Sequence, residues 1–206
     1  MEKFPIYSEL EKRILVLDGA TGTLLQRLLL TEADFRGTIL VDHPVPLKGN
    51  NDLLCLTRPE IIASIHRQYL EAGADIISTS SFNANALSQA DYGTTALVYD
   101  INVAAASIAK REALAYSTPD RPRFACASIG PTGKTASISP SADDPSARAV
   151  TFDELASAYR TQVCGLLDGG IDILMIETVF DALNAKAALY AISQVFVAKG
   201  SSVPVM

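Results

Sequence analysis

Two stretches of this chain repeat one phrase, and the phrase leaves few folds open. "YLEAGADIISTSSF" (69–82) and "LLDGGIDILMIETVF" (167–180) each pass from a helix end through glycine to aspartate, then into an apolar run that closes on polar residues. A glycine in the left-handed region stops the helix, and a strand begins within a couple of residues. "FVAKGSSVPVM" (196–206) starts the same phrase a third time and ends inside its strand. Loops this short make helix and strand alternate, and unbroken apolar strands need cover on both faces. The expectation is an α/β chain built on a parallel sheet.

Helix starts support the alternation. "TRPE" (57–60) and "TFDE" (151–154) both read Thr-x-x-Glu, a box in which threonine and glutamate satisfy exposed amides reciprocally. Asp181 is placed to cap the helix near "ALNAKAALYAISQVFVAKG", and helical periodicity covers about 94–115. Strands are expected near 14–17, 75–80, 123–129, 172–178 and 203–206. Two stretches break the pattern: 31–56, with Pro44, Pro46 and "KGNNDLL", and 130–150, "GPTGKTASISPSADDPSARAV". Both read as long loops after strand C-terminal ends, where function concentrates. The elements together predict the N-terminal half of a parallel (β/α)8 TIM barrel, about four βα units plus the start of strand five. Residues 1–206 are then one portion of a single domain, with no second domain. A complete barrel of this kind has eight strands and about 250 residues.

Composition narrows the function classes. Of 206 residues 49% are hydrophobic and 19% charged, with mean hydropathy +0.21, which is enough apolar material for a sizeable core. A net charge of −6 argues against nucleic-acid binding through a general basic surface, because phosphate contacts need clustered lysine and arginine. Cys55, Cys126 and Cys164 are far apart, odd in number and without CxxC or Cys/His spacing. A disulfide framework is therefore not expected, and a reducing cytoplasm is. The opening "MEKFPIYSELEKR" lacks the apolar centre of a signal peptide, and no uncharged apolar run approaches membrane-spanning length.

Several motifs fail when tested for chemistry. "GPTGKT" (130–135) ends like a P-loop, yet Ser128 stands where the first glycine belongs, and prolines at 140 and 145 follow instead of a helix. "DGATG" (18–22) lacks the G-x-G-x-x-G of a dinucleotide turn. His66, in a helix beside Arg67, is expected to be solvated or partly packed at the surface, and His43 has no visible partner. Cys126 on a strand and Cys164 on a helix read as core packing, as does Cys55. No metal site follows from spacing.

Two acids at strand ends remain. Asp18 closes "ILVLD" and Glu177 closes "DILMIE". In a parallel barrel the strand C-termini converge on one mouth, so both carboxylates are expected to face a shared pocket. Burial should press Glu177 toward a partner or a raised pKa. Two acids suit an ammonium, and the amides of Gly19, Ala20 and Thr21 suit a carboxylate, which together describe an amino acid. The bland alternative stays open: Asp18 caps the turn and Glu177 pairs with a local base.

The phrases "ILVLDGATGTLLQ", "KGNNDLLCLTRPEIIASIHRQYLEAGADII", "IGPTGKTASISP" and "GGIDILMIETVFDALNAKAA" resemble the N-terminal homocysteine-binding module of cobalamin-dependent methionine synthases, over roughly residues 10–206. Betaine- and S-methylmethionine-dependent homocysteine methyltransferases are similar more distantly. The resemblance implies a barrel that binds homocysteine and uses zinc to hold its thiol as thiolate, which takes a methyl group from methylcobalamin to give methionine. Asp18 and Glu177 would hold the substrate ammonium, and the amides of Gly19 to Thr21 its carboxylate. Folate and cobalamin modules of the parent enzyme are the implied partners.

This sequence departs from that pattern in two ways. The second strand ends "ISTSSF", so Ser78 and Ser80 replace a glutamate and an asparagine common in the family. The cysteines expected to ligate zinc belong to later phrases that 1–206 does not contain, so this chain is expected to bind no metal itself and to be inactive alone. Open sheet edges in a half-barrel would favour self-association. Two other readings remain: a homocysteine methyltransferase with another small methyl donor, and a non-catalytic half-barrel that only binds or scaffolds.

Overall fold

The computed structural model describes residues 4–206. Its helices are α1 (Pro5–Leu10), α2 (Thr21–Arg27), α3 (Glu32–Arg36), α4 (Leu54–Thr57), α5 (Pro59–Glu71), α6 (Ala86–Gln89), α7 (Val98–Tyr116), α8 (Phe152–Asp168) and α9 (Ala182–Lys199). The strands are β1 (Ile76–Ser78), β2 (Phe124–Ile129) and β3 (Ile173–Ile176). They form one parallel sheet in chain order, with Ile76 beside Phe124, Ser78 beside Cys126 and Ser128 beside Met175.

The repeated phrase folds as its residues dictate. Gly73 (φ 106°) and Gly170 (φ 87°) take left-handed conformations just after α5 and α8, and β1 and β3 follow at once. The aspartate of each phrase then does one job twice. Asp75 accepts the Val16 amide at 3.0 Å, and Asp172 accepts the Ala125 amide at 2.9 Å. Each carboxylate thus ties the start of a new strand to the backbone of the preceding segment. Asp75 is also ringed by Arg13, Arg121 and Arg123 at 2.8, 3.1 and 2.7 Å. Burial pushes its carboxyl up, but the arginines and the Val16 amide outweigh that and hold it below the usual carboxylate range.

All of β2 is buried, as a strand covered on both faces must be. Alternation sends Ala127 and Ile129 into a core with α8 and α9, around Leu155, Leu166 and Ile192. Phe124 and Cys126 face the other way and meet Ile76, Ile173, Met175 and Ile6 of α1, which closes the strands' N-terminal end. Each fully buried leucine of this kind is worth about 1.5–3 kcal/mol relative to exposure.

Several expectations need correction. Residues 14–17 and 203–206 form no ladder: single parallel bridges join Leu17 to Ile76 and Leu174 to Val205. Each segment has a paired neighbour on one side only among the described residues, and Ile14 is left 89% exposed. Residues 31–56 are not a plain loop, since α3, a 3-10 turn at Asn51–Leu53 and most of α4 lie within them. Buried Phe35, Leu47, Leu53 and Leu54 fold them onto the core below α7. Thr57 caps nothing. It ends α4, its hydroxyl reaches back to the Leu53 carbonyl at 3.4 Å, and α5 opens on Pro59, which has no amide to cap. His66 is fully buried, with neither ring nitrogen hydrogen-bonded among the described residues. Burial lowers its pKa to about 4.

Other expectations hold. Thr151 and Glu154 form the reciprocal box that opens α8, and Asp181 accepts the Leu183 amide at the start of α9. Residues 130–150 carry no helix or strand, and Asp181 fastens them through the amides of Ala136 and Ser137. No described helix is long and apolar enough to cross a membrane.

Candidate functional site

The inner face of the sheet changes character from one end to the other. At the N-terminal end it is apolar, built from Ile6, Ile76, Phe124 and Ile173. Two-residue alternation then brings Ser78, Ser128 and, two beyond Met175, Glu177 onto that same face at the C-terminal end. The amide of Asp18 donates to the Ile76 carbonyl at 2.9 Å, which sets its side chain beside the end of β1.

These groups bond to one another. Asp18 accepts the Ser78 amide at 2.8 Å through Oδ2 and the Ser78 hydroxyl at 2.7 Å through Oδ1. Ser128 donates its hydroxyl to Glu177 Oε1 and its amide to Thr79 Oγ1 at 3.0 Å. Thr178 takes a left-handed conformation (φ 57°) immediately after Glu177 and turns the chain toward α9. Such a conformation costs a non-glycine residue energy and is found where surrounding structure enforces it.

Asp18, Glu177, Gly19, Ala20 and Thr21 all line one open cavity of about 490 Å³. The shared pocket read from the sequence is therefore present. The bland alternative does not describe it. Asp18 makes no cap for α2, whose N-cap is Ala20, and the partner of Glu177 is a serine rather than a base. The opening amides of α2 have no intrahelical acceptor by geometry. Among the described residues no lysine, arginine or histidine lines the cavity. Burial raises the Asp18 pKa to about 6, Ser78's hydroxyl and amide oppose the rise, and the charge of Glu177 adds to it.

Three residues of this site escaped the sequence reading. Ser78, read there as a doubtful replacement, holds both oxygens of Asp18. Ser128, noticed only for spoiling a P-loop, orients Glu177. Asp52 lines the cavity as well, with its Oδ2 accepting the Asn83 amide at 3.0 Å. The available signal for the serines was their two-residue spacing from buried strand positions. Ser80 lines the cavity too, and its carbonyl accepts the Cys55 thiol at 3.4 Å.

The residues present do not fit a zinc ion. Among the described residues no group of three or more His, Cys, Asp or Glu is placed to hold a metal. Cys55 and Cys126 are buried, and burial pushes both thiols well above the usual range, the reverse of what a thiolate ligand needs. His43 Nε2 sits 2.7 Å from the Tyr92 carbonyl, away from the acids.

The fold defines an α/β protein with a parallel sheet and a carboxylate-lined cavity at its strand C-termini, the end at which such sheets commonly bind ligands. The family model described as homocysteine S-methyltransferase matches residues 15–206, and the chain belongs to that family. Its structure is similar to the metallated form of the homocysteine methyltransferase MmuM from Escherichia coli. The two share 22% identity and a TM-score of 0.70, over 97% of this chain and 65% of that one. The oxidized form gives 22% identity and 0.71 over 98% and 64%, and the apo form 22% and 0.60 over 96% and 61%. The chain thus spans just under two thirds of the length of these proteins, and at this identity the likeness shows the fold.

Proposed function

We propose that this chain is the amino-acid-binding half of a homocysteine S-methyltransferase, and that its parent is a cobalamin-dependent methionine synthase. The observation that carries the first part is the convergence of Asp18 and Glu177 on one cavity that no cationic side chain lines among the described residues. Two carboxylates without a protein cation are matched by a ligand ammonium. The amides of Gly19 to Thr21, which lead into α2, would receive the ligand carboxylate. Ser78 and Ser128 set the two acids in place before the ligand arrives, which lowers the ordering cost of binding. The substrate's thiol end is then left facing the open side of the cavity.

The cobalamin branch rests on the loop phrases "KGNNDLL" and "TASISP". In this reading methylcobalamin is the donor, presented by a separate module, and the zinc that activates the thiol is held outside residues 1–206. The sheet segments are the first half of a (β/α)8 barrel, and the chain alone is inactive. The exposed edge around Ile14 and Val16 favours self-association or docking of the remaining barrel.

Calorimetric titration with L-homocysteine tests the binding claim. The chain is expected to bind, and Asp18→Asn and Glu177→Gln are each expected to weaken binding about tenfold or more, the scale of one charged hydrogen bond. Unchanged affinity in both variants would overturn the assignment. Demethylation of methylcobalamin by the full-length parent, followed by absorbance, tests the donor.

A further inference from the structure

The backbone ladder between β1 and β2 breaks off beside the clamp, and side chains take over its bonds. Thr79 donates its amide to the Cys126 carbonyl at 2.9 Å, as a parallel ladder requires. The next two bonds of a regular ladder would run from the Ser128 amide to the Thr79 carbonyl and from the Ser81 amide to the Ser128 carbonyl. Hydroxyls of the same two residues make both bonds instead. The Ser128 amide donates to Thr79 Oγ1 at 3.0 Å, and Ser81 Oγ donates to the Ser128 carbonyl at 2.7 Å. Main-chain bonding resumes one residue late, where the Gly130 amide reaches the Phe82 carbonyl at 3.1 Å, so residues 79–82 form a bulge of one extra residue. Bulges of this kind re-aim side chains next to active sites.

Thr79 Oγ1 and Ser81 Oγ lie 2.6 Å apart and close a circuit of hydrogen bonds whose direction is fixed. The Ser128 amide can only donate and its carbonyl can only accept. Ser81 therefore gives its hydrogen to that carbonyl, and Thr79 gives its hydrogen to Ser81. Thr79, Ser81 and Ser128 are all buried, and Gln162 of α8, fully buried itself, donates to the Ser81 carbonyl at 2.8 Å. Turning either hydroxyl away would leave a buried polar group unpaired. The Ser128 hydroxyl stays outside the circuit and is the group that donates to Glu177. We propose that Thr79 and Ser81 are positioning residues for the ammonium clamp: their hydroxyls lock the Ser128 backbone, and Ser128 thereby holds the Glu177 carboxylate toward the ligand. This inference rests on the proposed function and adds to it a pair of residues that never touches the ammonium and acts through Ser128.

A double-mutant cycle tests the role. L-Homocysteine is titrated, with NMR detection, into the chain and into Thr79→Val, which nearly keeps the shape and loses the hydroxyl. Both are also prepared carrying Asp18→Asn or Glu177→Gln. Thr79→Val is expected to weaken binding about tenfold alone and about tenfold beside Asp18→Asn. Beside Glu177→Gln the further loss is expected to be about threefold or less, because the group being positioned has already lost its charge. Thr79→Ser, which restores the hydroxyl, is expected to bind like the unaltered chain. No loss in Thr79→Val, equal losses in both backgrounds, or a Thr79→Ser variant as weak as Thr79→Val would each overturn the role. Should Thr79→Val fail to fold, the Ser81 13Cβ resonance answers instead, because Ser81 is fully buried and outside the cavity lining. It is expected to shift when homocysteine enters the unaltered chain and to stay put in Glu177→Gln, and a shift in both or in neither overturns the proposal. If the unaltered chain binds no homocysteine, the proposed function falls and this inference with it. If it binds and the Thr79 and Glu177 losses simply add, only the inference falls.

Discussion

Replacing Asp18 by asparagine is expected to stabilise the free chain at high pH while weakening its hold on the ligand. Burial has raised this carboxyl from 3.8 to about 6, so the folded state holds the proton more tightly than the unfolded state does. The associated stability is complete below about pH 4 and is lost as pH rises through about 6. At about 1.36 kcal/mol for each tenfold change in the proton equilibrium, the ionised group costs the fold about 3 kcal/mol. Solvent at the open cavity mouth screens part of that. Asparagine cannot ionise, but it gives up one of the two acceptors that Ser78 uses. The net gain in urea unfolding near pH 8 should therefore be about 1–2 kcal/mol. Near pH 4.5 the native carboxyl is already neutral, and the gain should vanish or reverse. A variant destabilised by the same amount at both pH values would refute the claim that Asp18 is a strained, ligand-directed charge.

Other substitutions probe the scaffold. Asp75→Asn leaves Arg123, whose side chain is only 8% exposed, without its carboxylate, and should cost about 3 kcal/mol in urea unfolding; a loss well under 1 kcal/mol would contradict the strand-tying role. Thr151→Ala removes a formed capping box and should cost about 1 kcal/mol, whereas Thr57→Ala removes no cap and should cost about half that or less. Equal losses would show the second box to be real. Thiol alkylation in the native state should modify Cys164 first, because Cys55 and Cys126 are buried with raised pKa values. Fast labelling of Cys55 would mean that the residues 31–56 region opens.

The alternation of helix and strand was legible because the glycine and aspartate of the repeated phrase act locally. Gly73 and Gly170 end their helices through their own backbone conformation, and β1, β2 and β3 fall inside the predicted runs. The two outer segments were over-read, since Leu17 and Val205 have apolar strand sequences but a ladder also needs neighbours that the sequence does not display. In the site, Asp18 and Glu177 stood out as acids abutting apolar runs. Ser78 and Ser128 did not, because a serine on a strand gains meaning only once register sets it beside an acid from another strand. Asp52 was hidden for a different reason. Its stretch reads as loop by its prolines and asparagines, and only the burial of Leu47, Leu53 and Leu54 shows that the segment is packed. Thr57 misled because a cap box is a local pattern, and Pro59 moved the helix start past it.

In the proposed function Asp18 and Glu177 hold one ammonium between them. A crystal structure of the chain soaked with L-homocysteine measures that directly. The amino nitrogen is expected within about 2.7–3.2 Å of a carboxylate oxygen of each residue, with the ligand carboxylate against the amides of Gly19 to Thr21. A ligand whose ammonium lies away from both acids, or whose carboxylate faces them, would contradict it.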